Sequence, residues 1–269
     1  MTPKLLTTLK IKLSHLVQTF HLNLNHKSHP QGRKFKIENE DALALALYRH
    51  TSTRATKKSV FEDFRDTLDC SYKTLVLALN RVALWSMKIL FLLMRMGKKH
   101  GHIVKYTDAT DLPVCLKKNA DSHQTMQGLA GWGHSSKGWY YGLKMTMTRD
   151  ARGNILGLRF SAPAKNDRDI FRSINRDISG VIVADAGYVS KQLERDMHVE
   201  GKRWILIRPF KTMRRIMTRW QEALYRSRFM IEFDFRSMKL FHGLVTSLPR
   251  SVSGYLAHYL NSILSFVLA

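Results

Sequence analysis

Acidic residues are scarce in this chain, 21 Asp and Glu against 44 Lys and Arg, so an acid at a strand end is informative. Asp108 follows the run IVKYT, and Asp185 closes VIVA, whose unbroken apolar residues predict a strand buried on both faces. Ligand sites of α/β sheets lie at the carboxyl ends of strands. That marks both aspartates, with Asp111 a near rival to the first. A third acid, Glu232, stands on a long helical stretch after the last predicted strand. Three hard oxygen donors suit Mg²⁺ or Mn²⁺ better than metals that seek imidazole or thiolate. Two such ions about 3.5–4 Å apart would activate a water or a 3′-hydroxyl and stabilise the leaving oxygen of a phosphodiester.

Taken singly, each acid reads equally well as a solvated or capping carboxylate. The helix around Glu232 argues against that. At roughly 100° per residue, Tyr225, Arg228, Glu232 and Lys239 fall at about 0°, 300°, 340° and 320°. One stripe then carries an aromatic hydroxyl, two cations and an acid, whereas a salt-bridged solvated face accounts for only part of the pattern.

For the acids to meet, the elements must be ordered. After Gly101 the apolar period is 2: a strand over 102–110, then Leu143, Met145 and Met147 alternating with polar residues, the turn RDARGN, and Leu156, Leu158 and Phe160. A helix over 167–179, the strand 181–184, a helix over 190–200 and a strand over 204–207 follow, then helices over 212–241 and from about Ser251. The order βββαβαβα implies a mixed α/β sheet in which the first and fourth strands are neighbours. A final helix crossing their ends brings Asp108, Asp185 and Glu232 together.

Residues 1–100 read as all-helical. Leu5, Leu9, Leu16 and Phe20 recur at helical spacing, 42–48 and 71–96 are rich in Leu, Ala and Met, and a polar loop spans 21–36. The expected domains are therefore a helical region over 1–100 and a catalytic domain over 101–269. The helical region is either a DNA-end reader or a plain bundle.

The net charge of +23 over 269 residues and a pI near 10.2 point to a polyanionic partner such as DNA. With 13 Phe, 5 Trp, 9 Tyr and 12 Met the chain is no histone-like tail. The strip 201–221 is basic without an acid, and its Arg214, Arg215 and Arg219 are candidate phosphate contacts. Trp132, Trp139 and Tyr140 are stacking candidates for an unpaired base, or core residues. Gly133 and Gly138 have the glycine spacing of a phosphate loop, but Trp139 replaces its lysine, and no G-x-S-x-G or H-E-x-x-H is present. Cys70 and Cys115 form no C-x-x-C pair, which fits a reducing cytoplasm. Lys10 and Lys12 break the apolar run a signal peptide needs, and Asn80, Arg81 and Lys88 interrupt the apolar run of 74–96, so no membrane partner is expected.

The spacing Tyr-x2-Arg-x3-Glu-x6-Lys in YRSRFMIEFDFRSMK resembles the signature of the DDE transposases of bacterial insertion sequences, which have an RNase H-like core. YTDATDLPVC resembles their first-aspartate strand, VIVADAGYVS their second-aspartate motif, and GWGHSSKGWYYGLKM the approach to the second strand. Ala109 and Asp111 depart from the Ser or Thr and the Pro usual after the first aspartate. The likeness covers about 101–269. It implies a transposase that cuts and joins DNA at element ends, with Asp108, Asp185 and Glu232 holding two Mg²⁺ or Mn²⁺ ions and Tyr225, Arg228 and Lys239 placing the DNA end. It also implies a dimer on DNA, target DNA as second substrate, and a cytoplasmic, nucleoid-associated location. The alternatives are an inactive or domesticated DNA-binding copy, and an RNase H-like nuclease without strand transfer.

Overall fold

A computed structural model describes residues 4–24, 34–54, 56–188, 190–201, 203–207, 217–245 and 249–269. The chain forms two compact units, a helical one of Met1–Leu92 with Ser237–Ala269 and a sheet-bearing one of Leu93–Arg236.

In the helical unit, α1 (Lys4–Thr19), α3 (Lys57–Asp63), α4 (Tyr72–Arg81), the start of α5 (Ala83–His100) and α10 (Val252–Val267) assemble with α2 (Asn39–Thr51). The alternation of Ala and Leu in α2 leaves every residue from Ala42 to Tyr48 buried, because α1, α4 and α10 all pack against it. Such a helix has no solvent face and hence no amphipathic stripe. The segment Tyr72–His100 is long and apolar enough to cross a membrane by length and composition, and 44% of its most apolar window is buried within the protein.

The other unit is built on one mixed sheet, as the element order implies, in the RNase H-like arrangement that the transposase resemblance implies. Its strands are β1 (Val104–Pro113), β2 (Gly131–Ser135), β3 (Gly138–Asp150), β4 (Ile155–Ser161), β5 (Gly180–Ala184) and β6 (Arg203–Ile207). β3 pairs antiparallel with β1, β2 and β4, whereas β1, β5 and β6 run parallel. α6 (Asp167–Ile174) and α7 (Lys191–Gly201) supply Phe171, Leu193 and Met197 to a core with Ile182 and Ala184 on one face. On that face the Thr107 and Thr148 hydroxyls share a hydrogen bond of 2.8 Å, and Thr148 donates to the Asn175 side chain at 2.9 Å. Arg203, 1% exposed, donates to the carbonyls of Met197, Asn175 and Arg176, the arrangement of a cation that caps helix C-termini.

Two features differ from the periodicity. β2 is an added strand, and β3 starts at Gly138, because the glycines of GWGHSSKGWYYG admit a tight hairpin: Gly138 sits at φ +97, where other residues are strained. The expected helix over 212–241 is divided into α8 (Arg219–Arg226) and α9 (Phe229–Leu240), and residues 212–216 lie outside the described residues. At the break, Arg228, Met230 and Ile231 donate their backbone N–H groups three residues back, tightening the turn. The Ser227 hydroxyl bonds the Leu224 carbonyl at 2.7 Å and the Tyr106 hydroxyl of β1 at 2.8 Å, so a tertiary contact fixes a break that helical periodicity does not reveal.

Candidate active site

The parallel pairing of β1 with β5 ends at Thr107 and Ala184, and the next residues are Asp108 and Asp185. The two aspartates thus leave the sheet side by side. β1 itself runs on to Pro113 because β3 continues to pair with it, so Asp108 lies inside a strand whose partner on one side has just ended. Each carboxylate accepts the N–H of the following residue, Ala109 and Ala186, at 2.8 Å. Strand alternation puts Asp111 on the face opposite Asp108.

Glu232 occupies the first turn of α9. Between it and Asp108 lies Arg228: one guanidinium nitrogen donates to Asp108 Oδ2 at 2.9 Å and another to Glu232 Oε1. Burial pushes the Asp108 carboxyl up to about 6, with Asp185 and Glu232 adding to the rise while the Ala109 N–H and Arg228 oppose it. Burial works against the charge of Arg228, yet Asp108, Glu232 and Asp185 hold its pKa above the ordinary value. Burial, then Asp108, Asp167 and Asp185, raise the phenol of the buried Tyr188, which follows Asp185 on a short turn. Each of these shifts carries the charge of neighbouring acids, and both Asp185 and Glu232 act electrostatically on Asp108.

Asp234, two residues beyond Glu232, has a different task. It pairs with Arg149 of β3 at 2.7 Å, both side chains being buried (5% and 14% exposed). The helix therefore presents Glu232 to Asp108 and Asp234 to the sheet. Tyr225 stands in α8 with its ring 5.9 Å from the Arg228 guanidinium, and Lys239 lies in the last turn of α9. Because the helix breaks at Ser227, these residues do not form the single continuous stripe that the spacing predicts. Arg219 opens α8 and is exposed, while Arg214 and Arg215 lie outside the described residues. Trp132 and Trp139 are exposed, and Tyr140 is core.

Among the described residues no three His, Cys, Asp or Glu side chains are grouped closely enough to hold a metal ion. The donors match a hard divalent cation in kind, but a guanidinium stands between two of them and supplies the positive charge. Tyr106 and Ser227, which anchor the α8–α9 turn, and Arg149 are the supporting residues that spacing alone did not single out. Tyr106 is discoverable in retrospect, since it precedes Asp108 by two and shares its face.

Asp108 gives a pH prediction. Its folded pKa of about 6 lies above the ordinary 3.8, so the folded protein binds this proton more tightly than the unfolded chain. The resulting penalty grows as pH rises from about 4 to about 6 and is complete at neutrality. The effect of Asp108→Asn on stability should therefore be more favourable at pH 7 than below pH 4, by up to about 3 kcal/mol. Thermal melts of both proteins at the two pH values check it, and equal differences at both would refute the assignment.

Residues 97–251 match the family model described as "Transposase DDE domain". No curated protein sequence matches the chain. Among solved structures, the chain is similar to piggyBac transposase in a synaptic complex with hairpin DNA, with a TM-score of 0.54 at 9% identity over 99% of this chain and 73% of that one. The Mos1 mariner paired-end complex with Mn gives a TM-score of 0.24 at 11% identity, covering 93% of this chain and 84% of that one, a score at which no shared fold is shown. The piggyBac likeness is one of fold. The family match spans more than half of the sequence and contains all three carboxylates, so the chain belongs to the transposase DDE domain family.

Proposed function

We propose that the chain is a transposase that cuts and joins phosphodiester bonds at the ends of a bacterial insertion sequence. The observation that carries this reading is the convergence of Asp108, Asp185 and, through Arg228, Glu232 at one end of an RNase H-like sheet in a chain of net charge +23. Asp108, Asp185 and Glu232 would hold two Mg²⁺ or Mn²⁺ ions. When bound, such ions activate a water or 3′-hydroxyl and stabilise the leaving oxygen.

The other roles belong to the chain's own side chains. Arg228 neutralises Asp108 and Glu232 when DNA is absent, and on engagement it moves to the phosphate backbone, for which a planar bidentate donor is suited. Tyr225 and Lys239 place the DNA end. Arg214, Arg215 and Arg219 add phosphate contacts that give affinity without sequence information. Residues 1–100 form the end-binding region, 101–269 the catalytic domain, and a dimer in the cytoplasmic nucleoid pairs two ends with target DNA.

A supercoiled plasmid carrying the gene with its flanking sequence tests the reading. Purified protein is expected to nick it in Mg²⁺ or Mn²⁺ and not in EDTA, and to yield joined products when supplied with pre-cut ends. Nicking in EDTA would sink the metal assignment, and nicking without any joined product would make the chain a nuclease.

A further inference from the structure

The β2–β3 hairpin carries an exposed aromatic row that the proposed chemistry does not use. Trp132 pairs across the hairpin with Tyr141, and His134 pairs with Trp139. The ring centroids of the two pairs are 5.6 and 5.3 Å apart, edge to face. Directly paired residues project to the same side of a sheet, as do residues two apart, so these four side chains share one face. The other face has no room for side chains at two of its glycines. A Cβ on Gly133 would meet the Pro163 Cβ at 2.6 Å, and one on Gly142 would meet the Leu112 carbonyl at 2.1 Å. Glycine on the packed face and aromatics on the open face leave Trp132 at 44% and Trp139 at 58% exposure, a large apolar area for a position that the fold does not require to be apolar.

The aromatic face is also the face of Asp108. Asp108 pairs with Met147, and Met147, Met145, Leu143, Tyr141 and Trp139 alternate along β3 on one side. Counting back from Met147, Tyr141 and Trp139 lie ~20 and ~27 Å along the sheet, or about 6–8 nucleotides at 3.4 Å each. The surroundings are basic. Lys137 is exposed in the hairpin turn, and the exposed Lys117 approaches the turn from the glycine side, its Nζ 3.7 Å from where a Gly138 Cβ would sit.

We propose that this hairpin face binds unpaired DNA, stacking bases of a separated strand on Trp132 and Trp139 while Lys137 at the turn holds its phosphates. In a duplex each base face is covered by its neighbours, so two exposed indoles find partners only on a strand that has been opened. Aromatic platforms edged by cations are the usual means of holding such strands without regard to sequence. The two aromatic pairs stand ~7 Å apart along the hairpin, room for one base on each.

The inference rests on the transposase reading, and the experiment separates the two. The full chain is titrated with fluorescein-labelled dT20 and with a labelled 20-base-pair duplex, using wild type, Trp132→Leu, Trp139→Leu, the double variant and Trp139→Phe. Both indoles are exposed, so folding is expected to be unaffected, and matching thermal melts check this. Each Leu substitution should weaken dT20 binding roughly tenfold, Trp139→Phe should retain most of the affinity, and duplex binding should change by less than about twofold. A double variant that binds dT20 like wild type overturns the inference, as does an equal loss on dT20 and duplex. If instead the double variant converts a wild-type dimer to monomer in sedimentation with dT20 affinity intact, the face is a protein interface and the inference falls. In all three cases the transposase reading survives provided the plasmid is still nicked. Wild type that binds neither DNA overturns both.

Discussion

Asp185→Asn should fold, bind DNA at least as tightly as wild type, and nick supercoiled plasmid at least ~10³-fold more slowly. The Asp185 carboxylate accepts the N–H of Ala186, a bond an Asn carbonyl also accepts, so the fold loses little. Its proposed part in holding a divalent ion depends on charge, and the several kcal/mol of transition-state stabilisation supplied by such an ion correspond to that rate loss. Removing an anion from a path for phosphates favours DNA. Glu232→Gln should behave alike, with the added effect that Arg228 loses one of its two carboxylate partners. Initial nicking rates in Mn²⁺, set beside filter-binding curves on the same plasmid fragment, make the measurement. Wild-type rates for Asp185→Asn would remove that residue from the chemistry.

Asp234→Ala should do the opposite, damaging stability first. The Arg149 guanidinium, 5% exposed, would lose its carboxylate partner. Its remaining acceptors are the Asp150 carbonyl at 2.9 Å and the more distant Met230 carbonyl at 3.5 Å. Leaving one charge of a buried pair without its partner costs about 3–5 kcal/mol. For a chain of this size that is a melting temperature lower by roughly 6–20 °C. Burial keeps the Asp234 carboxyl above its ordinary pKa even beside Arg149, so desolvating the pair is itself unfavourable. The combined change Arg149→Met with Asp234→Leu is accordingly expected to recover most of the loss. Calorimetric melts of the single and double variants test this, and an unchanged melting temperature in Asp234→Ala would contradict the buried pair.

The contrast between Glu232 and Asp234 also separates what is readable in one dimension from what is not. Period-2 alternation in β3 and β4 and the apolar run of β5 follow from local chemistry, so the sheet, its two aspartates and the helical character of residues 1–100 are legible in the sequence. Residue spacing on a helix likewise put Glu232 near the proposed site. Spacing assumes an unbroken helix, however, and the turn at Ser227 is set by Tyr106, which is 121 residues away in the chain. The β2 strand escaped because glycine and aromatic residues alternate there without the aliphatic signal of a buried strand.

The sequence by itself determined the composition of the site: which acids could meet, which cations accompany them, and that the net charge favours a polyanionic partner. Those follow from side-chain chemistry and from the two periodicities of the backbone. Only the tertiary structure decided that Asp111 faces away, that Asp234 of α9 pairs with Arg149 of the sheet, that Arg228 stands between Asp108 and Glu232, and that α10 packs with α2 and α4 in the helical unit. Those outcomes depend on strand register, on a tertiary hydrogen bond at a helix break and on which buried charges find partners. Each is a contact between residues far apart in the chain, and local propensity carries no record of it.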